Sequence, residues 1–166
     1  KIKWGDLNDF LNLRKELIKK DESIEWDIGK LRKEIFKEKL KHIKPTSLRN
    51  QIVNDAFEIF IDKRHLIKLY DGVEDSLKIL SKKYELGVLT NGNADIYKFE
   101  IGRYFKFSIS SLEAKDNKPN RSHFDEASKK LEGIKFDEML HIGDHQINDI
   151  IGANNLGINT LWFNNN

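Results

Sequence analysis

A strand that ends on acid is the feature that most constrains this chain. Apolar Met139 to Ile142 leads directly into Gly143-Asp144, and a second carboxylate, Asp149, follows within one or two helical turns. A glycine-ended helix and a further apolar stretch, Ile158 to Phe163, come next. Two acids at the carboxyl end of a buried strand repel each other, and a hard divalent cation is the usual partner that offsets the repulsion. Strand, acid, helix and strand in that order commit this part of the chain to an α/β layout.

The rest of the sequence divides in texture. Up to about Tyr70 the apolar residues recur at helical intervals: Trp26, Ile28, Leu31, Ile35, Leu40 and Ile43 lie among charges. An earlier helix is expected after Asp6, using Phe10, Leu11, Leu13 and Leu17. Pro45 breaks the pattern, and Thr46 or Ser47 can cap the next helix, in which Ile52, Ala56 and Phe60 form one row and Val53, Phe57 and Ile61 another. From Asp71 helices and strands alternate: a helix over 72–83, a strand over 86–90, a helix over 94–101, a strand over 105–110, a helix over 124–131, and strands at 140–142 and 158–163. Such alternation predicts a parallel sheet, with ligands beyond the carboxyl ends of its strands. Thr90 and Asp144 both fall at that position. The expected organisation is a helical region, 1–69, and an α/β core, 70–166.

Composition narrows the function. Of 166 residues, 39% are hydrophobic, enough for a core, and the net charge of +2 argues against wholesale nucleic-acid binding. The lysines between Lys30 and Lys44 alternate with Glu34 and Glu38, as on a solvated helix face. No window supplies the roughly 18 apolar residues of a membrane span, so no membrane partner is expected. The opening residues show no apolar leader stretch. Cysteine is absent, which excludes thiolate metal sites and suits a cytoplasmic protein. The chain does not begin with methionine, its only Met being Met139, and is expected to start partway into a longer protein.

Three short segments carry candidate chemistry. Thr90-Asn91 puts a hydroxyl and turn amides at a strand end, a fair phosphate cradle, although Asn-Gly marks turns in general. Lys118 stands before Pro119, which holds it extended and able to enter a crevice, although a loop lysine is more commonly solvated. Asp144 and Asp149 suit a metal, or alternatively a helix N-cap and a first-turn charge.

In that order, Leu89-Thr90-Asn91-Gly92-Asn93, Lys118-Pro119-Asn120, and His141 through Asp144 to Asp149 and Ala153 resemble the second, third and fourth motifs of the haloacid dehalogenase-like (HAD) hydrolase superfamily. The resemblance covers roughly Tyr70 to Phe163 and is nearest to small-metabolite phosphatases, including those of flavin-pathway phosphates. It implies a Rossmann-like parallel sheet with an all-helical cap. It also implies roles: Thr90 and the Asn91 amide on the transferring phosphoryl group, Lys118 neutralising charge, Asp144 on Mg²⁺, and Asp149 on a metal-bound water or orienting Lys118. His145 stands where many relatives carry an acid or a small residue, and is expected to be neutral or turned outward.

One part of that pattern is missing. The resemblance calls for a nucleophile in Asp-x-Asp-x-Thr/Val after an apolar strand, yet no two aspartates here are separated by a single residue. Asp6 and Asp9 lie in a helical context and are poor substitutes. Without the carboxylate no aspartyl-phosphate forms, and without its strand two neighbouring strands face a gap. The expected intact protein is a Mg²⁺-dependent phosphatase of a small phosphorylated metabolite, a flavin-pathway or sugar phosphate among the candidates, and the chain as it stands is expected to be inactive. The alternative is a non-catalytic phosphate- or metal-binding module. Metal-free dehalogenation fits Gly143-Asp144 less well.

Overall fold

The computed structural model describes residues 5–164. The first four residues, part of the leader reading, and the last two of the polar tail lie outside it. The described residues divide into two compact units, one ending at Lys68 and the other beginning at Leu69.

The first unit is helical. Helix α1 (Leu7–Lys20) opens with a capping box in which Asp6 accepts from the Asp9 amide and Asp9 from the Asp6 amide. Asp27 caps α2 (Ile28–Lys39) by accepting from the Lys30 amide at 2.8 Å. Ile24, Leu31 and Ile35 form the buried centre, with Phe10, Leu13, Leu17 and Ile18 packed around it. Helix α3 (Thr46–Arg64) departs from expectation at its start: Pro45 occupies the cap position, and neither Thr46 nor Ser47 caps it. The proline ring carries no acceptor atom for the first-turn amides, so the helix begins without a side-chain cap. Of the two apolar rows on α3, only Val53 is fully buried.

The second unit is α/β. Helix α4 (Val73–Leu80) follows Gly72, whose φ of 79° suits glycine. Strands β1 (Gly87–Thr90) and β2 (Phe107–Ser110) pair in parallel, Thr90 opposite Ser110. Helix α5 (Ser111–Ala114) and helix α6 (Ser122–Lys130) follow. Strand β3 (Leu140–Gly143) pairs in parallel with β4 (Asn159–Trp162), and between them a π-helical turn, Gln146–Ile151, runs into α7 (Gly152–Asn154). One cluster joins Phe107, Ile109 and Ala127, and another joins Phe124, Ala153 and Ile158; Leu89 packs against both.

Among the described residues β1 and β3 are not paired with each other, so the sheet consists of two separate pairs with a free edge on each. That is the gap expected from the missing strand. Three local readings need correction. The expected helix over 94–101 is two short 3₁₀ turns, Ile96–Lys98 and Glu100–Tyr104, because Gly102 closes so tightly on the Ile96 carbonyl that a Cβ would stand 2.6 Å from it. The helix after Asp144 begins as a wider π turn. Strand β3 is not buried on both faces: Leu140 is 59% and Ile142 51% exposed, since no described element covers that face.

Candidate active site

Lys118 is the centre of the site. The loop that presents it is fixed by a network of short polar contacts. Asp116 accepts from Asn120 Nδ2 and Ser122 Oγ, both at 2.7 Å. Buried Ser111 donates to Asn117 Oδ1 at 2.7 Å. Asn91 then grips the lysine's own backbone: its Nδ2 donates to the Lys118 carbonyl and its Oδ1 accepts from the Lys118 amide, each at 2.8 Å. A planar amide that satisfies both backbone groups of one residue sets that residue's position relative to the end of β1. Gly152 approaches Pro119 from the other side, where a Cβ would lie 2.9 Å from Pro119 Cα.

The lysine side chain is 8% exposed, against the ordinary expectation of a solvated loop lysine. Its ammonium donates to the Leu89 carbonyl at 2.8 Å and to Asp149 Oδ1 at 2.7 Å. Asp149 is equally buried. Its Oδ1 also accepts from His141 Nε2 at 3.3 Å, and its Oδ2 from the His145 amide at 3.0 Å. Burial is the largest single influence on Asp149 and acts to raise its pKa. The Lys118 hydrogen bond, the His145 amide, the Lys118 charge and His141 together outweigh it and hold the carboxyl below its ordinary value. Asp149 is therefore the ionised counter-charge of Lys118.

Thr90 and Asp144 occupy the two strand ends. Thr90 Oγ1 accepts from the Gly92 amide at 2.9 Å, which leaves its own proton available for a ligand. The Asn91 side chain is committed to Lys118, so only its main chain is available for a phosphate. Asp144 is exposed, and among the described residues its carboxylate has no hydrogen bond; its carbonyl accepts from Trp162 Nε1 at 3.0 Å. It borders an open cleft of about 580 Å³, also lined by Tyr70, Ile142, Gly143, Trp162, Phe163 and Asn164.

His145, not Asp144, caps the following turn, its Nδ1 accepting from the Ile147 and Asn148 amides at 3.2 and 3.1 Å. The helix-cap explanation for Asp144 is thereby removed.

Two histidines escaped the sequence reading. His141 meets Asp149 and stands edge-on to Phe124, with ring centres 5.2 Å apart. His123, fully buried, donates from Nε2 to the Thr90 carbonyl at 3.2 Å, while its Nδ1 is buried with no partner among the described residues. Burial lowers the pKa of both, assisted in each case by the Lys118 charge. The available signal was positional: His123 neighbours the buried Phe124 on α6, and His141 alternates with the exposed Leu140 and Ile142 on β3 and so faces the other side.

The donor set is partly suited to Mg²⁺. This ion is held by one or two carboxylates and keeps waters and substrate oxygens as its remaining ligands. Asp144 meets that need, whereas Asp149 is occupied by Lys118. Among the described residues no group of three or more acids or histidines is arranged to hold a metal.

Comparison with known proteins follows the same lines. A 103-residue stretch is 34% identical to the 5-amino-6-(5-phospho-D-ribitylamino)uracil phosphatase YigB of Escherichia coli (strain K12), covering 62% of this chain and 43% of that protein. The pyrimidine 5'-nucleotidase PynA of Streptococcus pneumoniae (strain ATCC BAA-255 / R6) is 26% identical, over 80% of this chain and 61% of its own length. The chain thus spans about half the length of these curated relatives. The crystal structure of a 2-haloacid dehalogenase from Pseudomonas syringae pv. Tomato DC3000 superposes with a TM-score of 0.89 at 29% identity, covering 96% of this chain and 69% of that one. The family described as haloacid dehalogenase-like hydrolase matches residues 8–163, and with its strand-end site in place the chain belongs to that family.

Proposed function

We propose that this chain is the larger part of a Mg²⁺-dependent phosphatase acting on a small phosphorylated metabolite. The observation that carries the reading is the buried ammonium of Lys118, held between the Leu89 carbonyl, at the end of β1 next to Thr90, and Asp149. Phosphoryl transfer asks chiefly for positioning and charge neutralisation. Thr90 would donate to a phosphoryl oxygen and Lys118 would neutralise its charge, with Asn91 fixing one relative to the other. Asp149 is a positioning residue that orients Lys118. Asp144 would hold Mg²⁺, which supplies further charge neutralisation at the phosphate when bound.

The nucleophilic carboxylate, and the strand that would join β1 to β3, come in this proposal from a segment outside the 166 residues; the two unjoined strand pairs support that. The reaction then passes through an aspartyl-phosphate, and the isolated chain is inactive. The helical residues 1–69 serve as the family's cap region and residues 70–166 as its core. The E. coli and Streptococcus relatives, named for a phosphoribityl compound and for nucleotides, support a small phosphate ester as substrate.

The test expresses the uninterrupted reading frame and measures phosphate release from p-nitrophenyl phosphate. Release should require Mg²⁺ and fall by about 10²–10³ in Lys118→Ala and Asp144→Asn, the scale for losing one preorganised electrostatic contact. Full activity in either variant, or metal-independent halide release from a 2-haloacid in place of phosphatase activity, overturns the proposal. Phosphate binding without turnover would select the non-catalytic module instead.

A further inference from the structure

Three of the cations on and just after α2 are neutralised locally. Lys30 pairs with Asp21 at 2.8 Å, Lys37 with Glu34 at 2.7 Å and Lys41 with Glu38 at 2.6 Å. Arg32 and Lys33 have no ion pair among the described residues. They lie instead over two rings of α3: the Arg32 guanidinium is 3.9 Å from the centre of Phe60, and the Lys33 ammonium 4.6 Å from that of Phe57. Arg32 is half-buried, and its Nε is buried with no hydrogen-bond partner among the described residues.

Arg64 follows Phe60 by one helical turn and so shares its face of α3. It too has no ion pair among the described residues. Burial first, and then the like charge of Arg64, draw the Arg32 pKa down. A half-buried cation such as Arg32 beside a like charge is costly without a counter-charge. Arg32 has its flat face on Phe60, and a guanidinium's donors lie in its plane, the geometry in which it grips an oxyanion in bidentate fashion.

We propose that Arg32, over the ring of Phe60, and Arg64, one turn along the same face of α3, form an oxyanion site on the helical unit that takes a phosphate or a carboxylate group. It is separate from the site at Thr90 and Lys118 and does not depend on the phosphatase reading.

The test follows arginine Nε–H signals by ¹H–¹⁵N NMR on the full 166-residue chain during titration with inorganic phosphate and, separately, acetate. The Arg32 signal should shift saturably. Affinity should drop about tenfold in Arg64→Gln, the scale for one charge-assisted contact. It should be unchanged in Thr90→Val, which removes the hydroxyl at the other site. Tighter saturation by phosphate identifies a phosphoryl group as the ligand, and tighter saturation by acetate a carboxylate. Arg64 is exposed, so its replacement should leave the remaining spectrum intact. No saturable shift with either anion, or equal affinity in Arg64→Gln, overturns the proposal.

Discussion

Asp149→Asn should be among the most damaging single-atom changes available in this molecule. Three donors converge on the two carboxylate oxygens: the Lys118 ammonium and His141 Nε2 on Oδ1, and the His145 amide on Oδ2. An asparagine offers one acceptor oxygen, so its NH₂ must face at least one of those donors. It also leaves the Lys118 ammonium, 8% exposed, with only neutral acceptors opposite. Removing one partner of a buried ion pair costs about 3–5 kcal/mol, a large share of the roughly 5–15 kcal/mol that holds a domain together.

The control is the double variant Lys118→Met/Asp149→Leu. It removes both charges together, although it leaves His141 Nε2 and the His145 amide without that acceptor, so it should lose clearly less stability than the sum of the two single variants. Urea unfolding followed by far-ultraviolet circular dichroism measures both. The pH dependence has a fixed sign. The folded Asp149 pKa lies below its unfolded value, so its contribution is full above about pH 4 and is lost as pH falls through the folded pKa. An Asp149→Asn loss below about 1 kcal/mol, or a double variant as unstable as the sum of the singles, would refute the assignment of this pair as a buried, mutually dependent ion pair.

Two further outcomes follow from the same neighbourhood. Gly152→Ala places a Cβ 2.9 Å from Pro119 Cα and 3.0 Å from its carbonyl oxygen, so it should lower stability by about 1–3 kcal/mol, the cost of overpacking; an unchanged melting temperature would contradict that close approach. His123 and His141 have folded pKa values below the unfolded value, chiefly through burial, so the unfolded chain binds more protons below about pH 6.5 and stability should fall as pH drops from there. His123→Phe and His141→Gln should each flatten that slope in urea titrations at successive pH values.

The legible part of this molecule was its order of strand ends. Thr90 and Asp149 were singled out because each adjoins an apolar run with a glycine close by, and Lys118 because Pro119 follows it; local sequence records such turns. The parallel pairing and the interrupted sheet were legible for the same reason. What lay hidden was side-chain partnership across distance. Nothing near Asn91 in sequence says that its amide clasps the backbone of Lys118, 27 positions away. Nothing near Asp144 says that His145 takes the capping role, because both residues can cap and only the wide π turn decides between them. His123 was invisible because a histidine on a helix reads as polar, whereas its burial comes from packing under the end of β1.

The central claim is that one anion pocket lies at the ends of β1 and β3. Its most direct test is a crystal structure of the protein expressed from its uninterrupted reading frame, grown with Mg²⁺ and tungstate as a phosphate mimic. The account predicts tungstate oxygens within hydrogen-bond distance of Thr90 Oγ1 and Lys118 Nζ, with the metal on Asp144. Tungstate bound elsewhere, or a Lys118 ammonium still turned away from an anion that saturates the protein, would contradict it.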